Sequence, residues 1–274
     1  MSDRVSIAID DDGVADVRLN RPDKLNACDL EMIEALGAAG SELAKNRSLR
    51  AVVLSGEGRA FCAGLDVSLF SGSEKSVDEL LEHDTESPAN FVQRAAWAWA
   101  ELPVPVIAAI HGVAFGAGFQ VALAADIRCV APDAKLSAME IKWGLIPDMT
   151  GAVSLRRLVG VDVAKELIFT GRIVSGAEAR ELGLATHVGE TPKDEARELA
   201  RDMARRSPDA VRAAKRLLGE GDELPIRDRL ELEARLQRTL IGRPNQIEAI
   251  RANLEKRAPR FEDPKWPPGL EDPK

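Results

Sequence analysis

Residues 104–125 read VPVIAAIHGVAFGAGFQVALAA, a 22-residue apolar and glycine-rich run interrupted only by His111 and Gln120. Its length would suit a bilayer-spanning helix, since about 20 apolar residues cross the hydrocarbon. The order of the residues does not. Pro103 and Pro105 stand at one end, and Gly112, Gly116 and Gly118 break the middle. VPVIAAI is short and β-branched, which favours a buried strand, whereas GFQVALAA is rich in Ala and Leu, which favours a buried helix. The stretch is therefore expected to be a strand, a glycine turn and a helix, and no membrane association is expected.

Working outward, VSIAID and VADVRLN flank the turn DDG as a hairpin. NRPDKLNACD follows as a loop in which Asp29 can cap a helix running to about Asn46. LRAVVLSGEG reads as a short buried strand, and RAFCAGLDVSLF as a loop that starts a further helical turn. Residues 71–90 are acidic and polar and are expected to form a mobile flap over a cleft. A helix over about 90–101 carries Trp97 and Trp99, and DIRCVAPDAKLSAME supplies another strand and loop. Beyond residue 151 the chain is predicted helical, with boundaries at Gly160, Gly171, Gly183 and Pro208, before a tail too proline-rich to fold alone. The pattern indicates an α/β core with a helical extension, and no internal repeat of fixed period is visible.

Composition narrows the chemistry. With 274 residues, 45% hydrophobic and 30% charged, the chain reads as an ordinary soluble globular protein. A net charge of −8 argues against nucleic-acid binding, which needs a basic footprint, but leaves room for small anionic ligands held by local fields. Cys28, Cys62 and Cys129 form no CxxC pair and histidines number three, so neither a metal site nor a disulfide is expected. The N-terminus lacks a hydrophobic signal core, which points to the cytoplasm.

Among phosphate-binding glycine motifs, Gly116 and Gly118 fill the first two places of G-x-G-x-x-G, but Val121 occupies the third. Walker A, G-x-S-x-G and HExxH patterns are absent, and His111 at a strand end is read as structural. Two segments make better sense together. FCAGLD (61–66) and FGAGFQ (115–120) each place a small-residue turn between a strand and a helix. Such turns expose backbone N–H groups, and two that converge would form an oxyanion hole for a carbonyl becoming an enolate. Downstream, SAMEIKWGLIPDMTG (137–151) carries Glu140 and Asp148 among apolar neighbours. Desolvation there would raise a carboxyl pKa toward the range useful for proton transfer. A solvated Glu and a turn Asp is the alternative reading of those two residues.

These segments resemble the crotonase superfamily, the enoyl-CoA hydratase/isomerase family, over about residues 4–261. NRPDKLNACD is similar to its CoA-binding loop, and GRAFCAGLDV to its A-F-x-A-G-x-D segment. IAAIHGVAFGAGFQVALAADIR, GLIPDMTGAVSLRRLVG and TGRIVSGAEARELGLATHV follow in the family's order. The resemblance implies an α/β fold built as a spiral of ββα units with a C-terminal helical extension. It implies an acyl-CoA substrate, with coenzyme A present only as part of that substrate and no other cofactor, and a homotrimer or dimer of trimers. Residues 1–200 would form the spiral core with the CoA and acyl site, 201–260 a helical trimerisation region, and 261–274 a proline-rich tail.

Carried over by position, the oxyanion hole would be the N–H groups of Leu65 and Ala117. Ala117 departs from the more usual glycine; it still donates its N–H, and its methyl narrows the site. Lys24, Leu25 and Ala27 would lie along the CoA, with Ala63, Gly64, Asp66, Val67, Gly116 and Pro147 lining the substrate and Phe261 near a neighbouring subunit's CoA. Asp66 is read as a structural partner rather than a catalyst. A hydratase of the family uses two glutamates. Glu140 matches the second, but Gln120, which cannot titrate, stands at the first. Asp148 follows where hydratases tend to have glycine and dienoyl-CoA isomerases an acid. Glu140, Asp148 and Gln120 thus form the expected catalytic group, and the departure favours double-bond isomerisation over hydration. A full hydratase and a catalytically weak CoA-binding member of the fold are the rivals.

Overall fold

In the computed structural model, which describes residues 3–71, 75–83, 87–221 and 224–265, the N-terminal hairpin forms as expected. β1 (Val5–Ile9) lies antiparallel to β2 (Val14–Leu19), with Val5 opposite Leu19. The remaining strands are β3 (Ala51–Gly56), β4 (Val106–Ile110), β5 (Val113–Phe115), β6 (Ile127–Val130), β7 (Lys135–Ser137), β8 (Val174–Ser175) and β9 (His187–Val188). The first six helices are α1 (Leu30–Ala44), α2 (Val77–Leu81), α3 (Phe91–Glu101), α4 (Ala117–Ala124), α5 (Gly151–Leu158) and α6 (Val161–Thr170). They are followed by α7 (Gly176–Leu182), α8 (Pro192–Ala204), α9 (Pro208–Gly221), α10 (Ile226–Leu240) and α11 (Pro244–Glu255).

A six-stranded sheet runs β1-β2-β3-β4-β6-β9, parallel from β2 onward. A second, three-stranded sheet runs β5-β7-β8 and is continued by two isolated bridges, Cys28 with Leu65 and Cys62 with Ala114. Each turn of the chain thus contributes a strand to the first sheet, a short extended piece to the second, and helical structure after it. This is the spiral of ββα units. No fixed period appears in the sequence because the first-sheet strands of successive turns begin at residues 14, 51, 106 and 127, with inserts of unequal length between them.

The 104–125 run is more finely divided than a strand, a turn and a helix. Its glycine turn contains β5, which pairs with β7. The reversal between β4 and β5 rests on Gly112, at φ 62°, where a Cβ would run into the Arg59 carbonyl. Only glycine combines that backbone with that approach.

β3 and β4 are buried at every position because both faces of the sheet are covered. Val52 and Leu54 point into the main core with α1, α3 and α4, while Ala51, Val53, Ile107 and Ala109 meet Ala196 and Ala200 of α8. Asp29 caps α1, accepting from Met32 N at 2.9 Å. α1 and α3 approach closely at small residues: a Cβ on Gly40 would lie 2.6 Å from Ala98 Cβ. Trp99, fully buried, satisfies its indole N–H on the Ala95 carbonyl at 2.9 Å.

The expected helix boundaries hold, with Gly160 before α6, Gly171 and Gly183 closing α6 and α7 in left-handed caps, and Pro208 opening α9. Of the segment expected to be a flap, the short helix α2 packs on α3, and residues 72–74 and 84–86 lie outside the described residues. In the tail, Glu262 is held to α11 through Asn245, and residues 266–274 lie outside the described residues. No helix among the described residues is long and apolar enough to cross a membrane.

The α1–α3 crossing yields a direct test. Gly40→Val should lower stability by about 1–3 kcal/mol, the usual cost of overpacking, read as a shifted urea midpoint. Lys45→Ala, at an exposed end of the same region, should leave it within about 0.5 kcal/mol.

Candidate functional site

Two turns are brought together by pairing within the second sheet. Cys62 N donates to Val113 O and Phe115 N to Cys62 O, each at 3.0 Å, which lays residues 61–65 beside β5. On its other side the same segment pairs with the 24–28 loop: Ala63 N donates to Leu25 O at 2.9 Å, Cys28 N to Gly64 O at 2.7 Å and Asp66 N to Cys28 O at 2.8 Å. Leu25, Ala27, Ala63, Gly64, Leu65 and Asp66 therefore belong to one continuous surface.

Glycine sets how closely the turns meet. Gly64 has φ 100°, and a Cβ on it would lie 2.9 Å from Phe115 O and 3.9 Å from Ala117 N. Gly118 rests on Cys62, where a Cβ would fall 2.5 Å from the cysteine's own Cβ. Gly116 adopts φ 49° and ψ −119°, a conformation that turns the chain into α4. Neither Leu65 N–H nor Ala117 N–H has an acceptor among the described residues. Ala117, the first residue of α4, does not need a left-handed backbone, so alanine in place of glycine leaves the donor intact. Two free N–H groups thus stand on adjoining turns, one of them at a helix N-terminus where positive potential accumulates.

The 21–28 loop is held by Asn26, which is not among the expected site residues. Asn26 is fully buried in a left-handed conformation (φ 57°), a region Asn tolerates better than most residues. Its Oδ1 accepts from Arg21 N at 2.8 Å, and its Nδ2 donates to Glu57 O and Ala60 O at 2.9 Å and to Phe61 O at 3.2 Å. One amide thereby ties the loop to the start of the 61–66 turn. The asparagine within NRPDKLNACD was visible, but nothing in the sequence shows which carbonyls it would reach. Arg21 adds an ion pair to Asp66 at 2.6 Å, and Asp66 also accepts from Ser68 N at 3.0 Å. These contacts hold the Asp66 carboxyl down at about 2 and make it a structural partner of the turn.

Glu140 sits on a 3-10 turn (Met139–Trp143) and is 6% exposed. A Cβ placed on Gly116 would lie 3.3 Å from Glu140 Oε1, so the carboxyl abuts the turn that enters α4. Burial pushes it above the usual carboxylate range, and the charge of Asp148 adds to the push; a backbone N–H and the Gln120 amide pull the other way. Oε1 accepts from Gln120 Nε2 at 2.6 Å, and Oε2 is buried with no partner among the described residues. Asp148, part-buried, is also pushed up by desolvation. The reading of a desolvated Glu140 therefore holds over that of a solvated one.

Gln120, Glu140, Gly64, Gly116, Leu65 and Ala117 converge, and Asp148 joins them electrostatically. Pro147 precedes Asp148 and is part-exposed, while Lys24 and Val67 are exposed at the rim of the paired loops. Phe261 is part-buried on the C-terminal segment that Asn245 straps down. His111 places Nε2 2.9 Å from Gly58 O, in keeping with a structural role.

A family model described as enoyl-CoA hydratase/isomerase matches residues 10–264. Mitochondrial enoyl-CoA hydratase domain-containing protein 2 of Bos taurus is 35% identical over 259 residues, covering 91% of this chain and 84% of its own. Mitochondrial methylglutaconyl-CoA hydratase of Homo sapiens is 32% identical over 256 residues, covering 91% and 74%. The crystal structure of an enoyl-CoA hydratase from Bacillus anthracis superposes with a TM-score of 0.88 at 32% identity, over 95% of this chain and 100% of that one.

Removing the Asn26 clamp should cost about 3 kcal/mol or more, because several buried main-chain groups lose their partner at once; thermal unfolding of Asn26→Ala reads this. The Asp66 carboxyl is depressed from 3.8 to about 2 in the fold, so the stability it adds is present above its unfolded pKa and is lost as pH falls through its folded one. Unfolding curves followed from pH 5 to about 2 should show this acid loss reduced in Asp66→Asn.

Proposed function

The chain belongs to the enoyl-CoA hydratase/isomerase family, and we propose that within it this protein shifts a carbon–carbon double bond of an enoyl-CoA. The observation that carries the reading is Glu140: a buried carboxyl with one oxygen, set beside two N–H donors, that like them has no partner among the described residues, and with an amide where a second titrating group would stand. The thioester carbonyl oxygen would accept from Leu65 N–H and Ala117 N–H. Glu140 removes a proton from the carbon chain, and the C–H electron pair becomes part of an enolate whose charge rests on that oxygen. Returning the proton to a different carbon reforms the carbonyl and leaves the double bond displaced. Nothing is consumed, one base suffices, and coenzyme A enters only as part of the substrate.

Hydration asks for more, since a water must lose a proton to one group while carbon gains one from another. Gln120 can do neither, having no titrating atom. Asp148, whose carboxyl is also raised, could divide the roles of base and acid with Glu140, which serves proton transfer at two carbons and leaves hydration as the second reading.

The surface supports self-association. Leu218, Ile226, Leu230, Ile241, Ile250 and Leu254 expose apolar side chains on α9 to α11 and the link between the last two, and we propose that this region meets other copies of the chain in a trimer or a dimer of trimers.

Crotonyl-CoA, a 3-enoyl-CoA and a 3,5-dienoyl-CoA compared at equal concentration should show isomerisation of one of the latter two outpacing hydration of the first. Fastest turnover of crotonyl-CoA to the hydroxyacyl product would reject the isomerase reading. Glu140→Gln should lose about 10²–10⁴ in kcat while still binding acyl-CoA by calorimetry; unchanged turnover would remove Glu140 from the proposed role. Ala117→Pro deletes one N–H at a helix position that accepts proline, and kcat should fall about 10²–10³.

A further inference from the structure

Gln120 does more than mark a missing acid. Its Oε1 accepts from Met149 N at 2.7 Å and Gly151 N at 3.0 Å. These N–H groups open α5, where Thr150 takes a left-handed backbone (φ 68°) and its side chain caps nothing. The cap is supplied instead from α4, by Gln120. Gly151 makes room for it, since a Cβ there would lie 2.7 Å from Gln120 Oε1.

Two main-chain donors aimed at one side-chain atom admit only one orientation of the amide, because a flipped amide would set N–H against N–H. Nε2 must then face Glu140, and it does, at 2.6 Å from Oε1. A carboxyl oxygen that receives a hydrogen bond at that distance is best served as a carbonyl or carboxylate oxygen, which accepts more strongly than an acid's hydroxyl. The proton therefore belongs on the other oxygen. Oε2, buried and without a partner among the described residues, is that oxygen.

We infer that Gln120 is a positioning residue for Glu140, holding Oε1 as an acceptor so that Oε2 alone takes the proton from one carbon and returns it to another. The substrate in that statement rests on the isomerase reading, whereas the geometry does not. The same side chain hangs the Met149–Gly151 corner, and with it the adjacent Asp148, on α4. Sequence shows the amide. Only the fold shows that both of its ends are committed.

Losing the Gln120 donor must disfavour the ionised form of Glu140, because a hydrogen bond to the carboxylate stabilises it. Around Glu140, α4 presents no charged residue, its own turn carries Lys142, and α6, packed on that turn, carries Asp162, Lys165 and Glu166. The charge acting on Glu140 is that of Asp148, whose corner Gln120→Glu still anchors through its carboxylate. In protein labelled with 13C at glutamate carboxyls, the Glu140 signal is identified by its loss in Glu140→Gln. Its titration midpoint should move to higher pH in Gln120→Met, which keeps the bulk and removes the amide. It should also move up in Gln120→Glu, whose carboxylate still accepts from Met149 and Gly151 but opposes a second carboxyl, so that the pair titrates in two steps.

The acidic limb of kcat/KM for the isomerised substrate should rise in step with the midpoint. A Glu140 midpoint unchanged in both variants overturns the inference. If Gln120→Met does not fold, Gln120→Glu, which retains the α5 cap, decides the matter alone. The spectroscopic midpoint needs no substrate, so the two readings fail separately. A wild-type protein that isomerises nothing while the midpoint shifts sinks the isomerase reading and upholds this one. Normal turnover with an immobile midpoint does the reverse.

Discussion

Three glycines allow two turns of the spiral to touch, and the site exists because they do. Gly64 lies against the Phe115 carbonyl, Gly116 against Glu140, and Gly118 against Cys62. A methyl at the first or last would meet atoms at 2.9 Å or less. The approach leaves Leu65 N–H and Ala117 N–H, on neighbouring rims, without acceptors among the described residues. Unpaired N–H groups cost stability when shielded from water, so a fold keeps them only at points open to solvent or to a ligand. What they gain is readiness, since donors already aimed at a developing negative charge need no reorganisation when it forms.

The loops that carry the donors have few regular partners of their own and are held by side chains instead. Asn26 gathers Arg21, Glu57, Ala60 and Phe61 through one buried amide, and Arg21 reaches on to Asp66. On the opposite side Gln120 does the same for Met149, Gly151 and Glu140. Both amides use donor and acceptor together, which a carboxylate cannot do. The two glycine-bearing turns therefore sit between two neutral clamps, and the buried Glu140 carboxyl is bonded to one of them. Burial raises Glu140 while a backbone N–H and the clamp's amide restrain that rise.

Much of the fold was legible along the chain because local chemistry is written there. The hairpin, the Asp29 cap, the glycine ends of α6 and α7 and the proline start of α9 each follow from the backbone demands of single residues. β5 was hidden because three residues between two glycines carry no period of their own; pairing with β7 makes them a strand. The repeat was hidden because its turns share geometry and not length. In the site, the two small-residue turns and the desolvated Glu140 could be read from the residues themselves and their apolar neighbours, whereas the reach of Asn26 and Gln120 could not, since their partners lie on other elements.

The sequence by itself determined the family, the order of the spiral and the identity of the chemical groups: two turns rich in small residues, one glutamate, one amide where an acid would serve hydration. Tertiary structure decided which atoms of those groups remain free. Hydrogen bonds between elements distant in sequence occupy Oε1 of Glu140 and both ends of Gln120, and leave Oε2 and two backbone N–H groups without partners among the described residues. Residue identity sets what a side chain can donate or accept, but only packing sets what is already taken.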